Sequence, residues 1–221
     1  MFQGRIVKAL SGFYYVEDND NIIECRARGK FRKDEIKPLV GDFVEYQDGY
    51  IMKLLPRKNF LVRPPICNID QALIVSACKE PDFSSTLLDK FLLVVEHLNI
   101  EPIIILSKMD LDDGSIESYV NDYRKAGYKV YEISSKDNYG IDEIKSIFKD
   151  KVTVITGQSG VGKSSLLNAL DINLNLETNN ISKALGRGKH TTRHVELIKM
   201  YGGYIGDTPG FSSLELDMTP E

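Results

Sequence analysis

The chain has 221 residues, of which 42% are hydrophobic and 27% charged; this is enough apolar material for one large or two small packed domains and argues against wholesale disorder. No apolar run approaches the roughly eighteen residues of a membrane span, and the start MFQGRIVKAL lacks the apolar core of a secretory leader. Cys25, Cys67 and Cys78 form no CxxC pair, which points to a reducing cytoplasm and away from a zinc site within the chain.

The net charge of −4 is spread unevenly. Residues 1–63 hold 12 Lys/Arg against 9 Asp/Glu, a net of +3, and residues 64–221 hold 16 against 23, a net of −7. The run RARGKFRK, Arg26 to Lys33, packs five cations with no acid. It reads either as a solvated hairpin face or as a surface for a phosphate backbone, with Arg26, Arg28, Lys30 and Arg32 as the RNA-binding candidates.

In chain order, GRIVKALSGFYYVED, IIECRARGKF, VGDFVEYQDG and GYIMKLLPRK are short β-rich runs split by Gly, Asp and Asn. They predict an all-β, OB-like barrel over residues 1–63. Pro64 and Pro65 cannot both sit in a central strand, so residues 64–70 read as a linker. From residue 71 the rhythm changes. QALIVSA is a buried strand, and SSTLLDKFLLVVEHLNI a helix capped by Ser84 or Ser85. PIIILSK is a strand, SIESYVNDYRKAG a helix ending at Gly127, KVYEISS a strand, GIDEIKSIFKD a helix and VTVIT a strand. Apolar strands alternating with helices predict a doubly wound α/β sheet over residues 71–221.

GQSGVGKS matches the GxxxxGK[ST] phosphate loop, between a strand and a helix as the motif requires. Gly157, Gln158, Ser159, Gly160, Val161 and Gly162 would turn backbone N–H groups around the phosphates at a helix N-terminus. Lys163 would reach the β- and γ-phosphates, Ser164 would ligate Mg²⁺ and Ser165 is a further nucleotide-binding candidate. Downstream, DTPG supplies Asp207, a water-mediated Mg²⁺ contact, and Gly210, an N–H for the γ-phosphate. SKMD closes an earlier strand. Asp110 can accept both N1–H and N2–H₂ of guanine, a pair adenine does not offer, so the phosphate loop is read as taking GTP or GDP rather than ATP. Lys108 would lay its stem over the base, beside Met109. Ser107 stands where this motif usually has Asn and can make one of the hydrogen bonds. The stretch SSK, Ser134, Ser135 and Lys136, is placed for the loop that contacts guanine O6. The order is reversed relative to an ordinary guanine-nucleotide switch, with the guanine loops before the phosphate loop. A doubly wound sheet tolerates that, because each motif still falls at a strand's carboxyl end.

With SKMDL, SSK, GQSGVGKSSLLNAL, GRGKHTTRH and DTPGFSSLEL in this order behind an N-terminal barrel, the whole chain resembles the circularly permuted bacterial GTPases of the RsgA type, which assist maturation of the small ribosomal subunit. The resemblance implies an OB-fold domain, a circularly permuted P-loop GTPase domain and a C-terminal helical domain with a Cys/His zinc site. The chain stops at LELDMTPE, where that third domain would begin, so no zinc ligands carry over and a truncated chain is expected. The implied ligands are GTP, GDP and Mg²⁺. The implied partners are the small ribosomal subunit and its rRNA, for a cytoplasmic monomer. GRGKHTTRH matches the family's first switch, with Thr192 as the second Mg²⁺ ligand and Thr191 as the alternative. Phe211 stands where many small GTPases have a water-orienting Gln, and a phenyl ring cannot hydrogen-bond water. His190 or a group from a partner is then the candidate for positioning the water. The competing expectation is a nucleotide-gated RNA-binding module with negligible hydrolysis.

Overall fold

The computed structural model describes residues 1–29, 31, 36–62, 64–171 and 195–207. Five strands, β1 (Phe2–Leu10), β2 (Phe13–Asp18), β3 (Asn21–Ala27), β4 (Phe43–Gln47) and β5 (Tyr50–Leu54), pair in the order β1-β2-β3-β5-β4. β4 returns to β1, which closes a barrel. The β3–β5 pair is parallel and the other barrel pairs are antiparallel. Alternation decides what lies inside: Ile6, Val16, Cys25, Val44 and Ile51 are fully buried, one from each strand. Asn19 and Asp20, then Asp48 and Gly49, take positive φ at two tight turns, which suits the right-handed twist of the strands they join.

The second half is a sheet covered on both faces. β8 (Gln71–Ala77), β9 (Glu101–Ser107), β10 (Lys129–Glu132), β11 (Val152–Thr156) and β13 (Gly203–Asp207) run parallel in the order β10-β9-β8-β11-β13. β12 (Val195–Met200) adds antiparallel to β13. Among the described residues four α-helices accompany them: α1 (Ser85–His97), α2 (Glu117–Lys125), α3 (Ile141–Lys145) and α4 (Lys163–Leu170). Side chains of β8 and β9 part in alternation. Ala72, Ile74, Ile104 and Leu106 pack with Leu88 and Phe91 of α1 and Val120 of α2. Leu73, Val75, Ile103 and Ile105 pack with Ile141 and Ile144 of α3 and Leu166 of α4. Every residue of β11 is buried, as a central parallel strand requires. Ser84 is the cap of α1, its hydroxyl accepting from the Leu87 N–H at 3.3 Å.

Three local readings differ from the structure. β10 stops at Glu132, because Ile133 turns inward as a fully buried residue and Ser134 bridges to Tyr139 across a tight loop. α3 is five residues long and tightens into a 3₁₀ turn at Ser146–Phe148, which swings Phe148 wholly into the core. The stretch 64–70, read as a linker, holds strand β7 (Ile66–Cys67), paired with β6 (Phe60–Leu61). Ile66, Cys67, Asn68 and Ile69 are buried. The two prolines thus sit at the tip of a hairpin.

Side-chain amides hold this segment. Asn59 accepts from the Ile69 N–H at 2.8 Å and donates to Ile69 O at 2.9 Å, while Asn68 donates to Gly41 O at 3.0 Å. At its centre the fully buried Asp42 accepts from Arg57 through both oxygens at 2.6 and 2.7 Å, from the Leu39 N–H at 2.7 Å and from Cys67 Sγ at 3.1 Å. Burial and that carboxylate push the Cys67 thiol far above its ordinary range. Removing one partner of such a group strands the others. Asp42→Ala is therefore expected to destabilise the chain by about 3 kcal/mol or more, read as a lower urea midpoint with an unchanged slope.

Candidate nucleotide site

The site begins with the spacing of adjacent strands. β8, β9 and β11 are neighbours whose carboxyl ends lie on one edge of the sheet. The loops leaving them must touch, since paired strands lie only about 4.8 Å apart. Gly157–Gly162 leaves β11 and opens α4. Gly157 has φ +138, and a Cβ there would lie 2.1 Å from Val75 O of β8, so no larger residue fits. Gly160 and Gly162 also take positive φ, at +83 and +95. Gln158, Ser159 and Gly160 are exposed and Val161 is buried. No side chain caps the first turn of α4, which carries no acidic residue, so its leading N–H groups face the loop with the helix dipole behind them.

Lys163 folds back over the loop. It is buried, and its ammonium donates to Gly157 O at 2.7 Å and Gln158 O at 2.6 Å. Burial lowers its pKa to about 8, the direction desolvation imposes on a cation. Ser164 is buried beside it and Ser165 is half-buried. β13, one strand over from β11, ends at Asp207. A buried hydroxyl and a strand-end aspartate are hard oxygen donors of the kind Mg²⁺ takes, so the residues fit that ion. Among the described residues no cluster of three or more His, Cys, Asp or Glu forms a metal site.

Ser107, SKMD's first residue, is tied to the phosphate loop: its hydroxyl lies 2.5 Å from Val161 O and 3.3 Å from Ser76 O. Lys108 takes the left-handed conformation at φ +59 and its ammonium donates to Glu80 O. The Met109 N–H donates to Ile133 O at 3.1 Å. Asp110 is the middle residue of a 3₁₀ turn, between Met109 and Leu111. Its carboxylate accepts from the Ser134 hydroxyl at 3.0 Å and lies 3.5 Å from the Lys136 ammonium. Ser135 sits in the same turn, which closes through paired Ser134–Tyr139 backbone bonds. The two loops read as guanine-contacting, 24 residues apart at Asp110 and Ser134, are therefore in direct contact.

Two parts of this site carry no sequence signature. Cys78, buried at the end of β8, lies with Sγ 2.8 Å from Lys108 O, and the Glu80 carbonyl receives Lys108. Burial raises the Cys78 pKa, so it acts as a neutral donor. Only its position at the end of an apolar strand could have marked it. Arg26 and Arg28 lie elsewhere, exposed on the barrel, Arg26 with its guanidinium 4.6 Å over the Phe13 ring. Lys30, Arg32, His190, Thr191, Thr192, Gly210 and Phe211 lie outside the described residues, as does the whole GRGKHTTRH segment.

Gly157→Ala combines an unfavourable φ with a backbone clash. It is expected to lower guanine-nucleotide affinity at least tenfold and to cost about 2 kcal/mol or more of stability, read by fluorescent-nucleotide titration and thermal unfolding.

Comparison with known proteins agrees with this arrangement. The family model for the RsgA GTPase matches residues 54–217, and that for the RsgA N-terminal domain matches residues 3–51. The chain is 56% identical over 229 residues to the small ribosomal subunit biogenesis GTPase RsgA of Bacillus subtilis, covering 97% of this chain and 77% of that one. It is 55% identical over 231 residues to the protein of that name from Halalkalibacterium halodurans, covering 100% and 79%. The crystal structure of YloQ, a circularly permuted GTPase, superposes with a TM-score of 0.79 at 49% identity, over 98% of this chain and 74% of that one. YjeQ from Thermotoga maritima superposes at 0.82 and 38% identity, over 97% and 77%. The chain belongs to the RsgA GTPase family.

Proposed function

We propose that this chain binds GTP, hydrolyses it to GDP and phosphate, and acts in assembly of the small ribosomal subunit, as the names of its relatives state for those proteins. The observation that carries the reading is the contact of Ser107 with Val161, beside the contact of Asp110 with Ser134. A guanine-selecting carboxylate and a phosphate cradle are thereby held in one site although the chain supplies them in reversed order.

In this reading Asp110 accepts the two N–H groups of guanine's edge, and the Lys108 stem flanks the base. The phosphates lie against the N–H groups of Gly157–Ser165, and Lys163 exchanges its two carbonyl partners for phosphate oxygens. Ser164, Thr192 and, through water, Asp207 would hold Mg²⁺, which would supply positive charge against the phosphates. Gly210 supplies an N–H to the γ-phosphate. Phe211 provides no group to orient water, so His190 or a group from the ribosomal partner does so. The barrel, residues 1–63, contacts rRNA through Arg26, Arg28, Lys30 and Arg32, and residues 71–221 are the permuted GTPase unit. The protein works as a monomer in the cytoplasm; no helix among the described residues is long and apolar enough to cross a membrane.

Base identity tests the site. Asp110→Asn is expected to weaken GTP binding at least 100-fold and to raise affinity for xanthosine triphosphate, since two charge-assisted hydrogen bonds are lost at about 1.5–3 kcal/mol each. Retained GTP preference at parental affinity would show that SKMD does not read the base. Function is tested by turnover: GTP hydrolysis is expected to be slow alone and to rise at least tenfold with purified small ribosomal subunits, and His190→Ala is expected to lower the stimulated kcat while leaving GTP affinity within twofold. Equal rates with and without subunits would sink the proposed partnership.

A further inference from the structure

The barrel does not merely precede the GTPase sheet; it extends it. β12 is the outermost strand of the GTPase sheet, and β1 pairs with it antiparallel, Lys8 opposite Glu196 and Ala9 opposite Val195. Glu196 is in turn opposite Asp207 on β13. Lys8, Glu196 and Asp207 thus form one row across three strands, and Lys8 Nζ lies 3.0 Å from Glu196 Oε2. The row falls where β12 begins and where β13 ends.

The other end of the same hairpin is held from β2. Glu17 reaches past β1 with its side chain only 9% exposed. One of its oxygens lies 2.6 Å from the Lys199 ammonium of β12, and the other accepts from the Tyr204 hydroxyl of β13. Burial and the bond to Glu17 raise the Tyr204 pKa, so that hydroxyl is a standing donor. Lys199 also meets Asp20 at 2.9 Å. The Arg5 guanidinium lies over two rings, 4.4 Å from the Phe43 centroid and 5.5 Å from that of Tyr204, and its buried Nε has no hydrogen-bond partner among the described residues. It is held there by ring contact and packing.

We propose that Glu17 is a positioning residue for GTP hydrolysis: by gripping both strands of the β12–β13 hairpin from the barrel, it fixes the register that sets Asp207 at the end of β13, in the strand next to β11 and its phosphate loop. The inference rests on the function proposed above. An ion pair on an open surface would be worth little. Glu17 differs because it is nearly buried and receives two donors from two strands, so its removal strands the Tyr204 hydroxyl and leaves Lys199 with Asp20 alone among the described residues. A misplacement of about 1 Å in the active site, even from a change far from the chemistry, costs up to about 100-fold in rate. GDP binding uses the phosphate and guanine loops on β9 and β11 and has no such dependence on the hairpin.

The test uses the full chain with three variants: Glu17→Ala, Glu17→Gln, which keeps one acceptor oxygen, and Tyr204→Phe, which removes only the hydroxyl and keeps the ring against Arg5. Single-turnover GTP hydrolysis and affinity for a fluorescent GDP are measured on the same preparations. Glu17→Ala is expected to lower the hydrolysis rate between about 5-fold and 100-fold with GDP affinity within twofold, the other two variants falling part way. A Glu17→Ala rate within twofold of the parent overturns the proposal. So does a rate loss matched by an equal loss of GDP affinity, which would mark Glu17 as merely structural. A parent that binds GDP but never turns over GTP refutes the proposed function itself, and this inference with it.

Discussion

Parallel strands that end on one edge of the sheet are the constraint on which the site depends. β8, β9 and β11 are fixed as neighbours by their backbone ladders, so Cys78, Ser107 and Gly157 leave the sheet within reach of one another. Loop contacts then follow from geometry: Ser107 to Val161, Cys78 to Lys108 O, Lys108 to Glu80 O. The first of these spans 54 residues of chain. Chain order does not enter this reasoning at any step, which is why a permuted sequence retains a guanine site.

The same sheet explains how the barrel is attached. An unpaired β12 would expose a row of backbone donors and acceptors. β1 covers it, but by only two residue pairs, a short ladder for two such units. Side chains enlarge the join through Lys8, Glu17, Lys199, Tyr204 and Arg5. The covalent connection is the second join, and Asp42, Arg57 and Cys67 hold it to the barrel. Two separated points of attachment resist rotation where one would act as a pivot.

Much of this was legible in sequence. Period-two alternation set the inward residues of the barrel, and continuous apolar runs set β8, β9 and β11, because burial on one face or on two leaves different patterns. The phosphate-loop glycines were readable because positive φ and a close backbone leave few other residues possible, as at Gly157. The linker assignment went astray for an equally physical reason. Two prolines forbid a central strand, yet they suit the tip of a hairpin, and the amides of Asn59 and Asn68 that bury the segment look like ordinary loop residues in sequence. The Glu17 grip was illegible altogether. Its partners lie about 180 residues away, and one glutamate in a barrel strand has no local signal.

Lys163 shows what the site gives up in stability. Its ammonium is buried, both of its acceptors are neutral carbonyls of its own loop, and burial lowers its pKa to about 8. Carbonyl dipoles replace water only in part, so the folded chain bears a desolvation cost there. Beside it lie three glycines at positive φ and a helix start with no side-chain cap, each a departure from what stability alone would select. All of these departures favour the same kind of ligand. N–H groups turned inward, a helix dipole and a desolvated cation each gain most from a polyanion. The local fold is therefore least optimised where, on the proposed function, the triphosphate contributes the missing counter-charge.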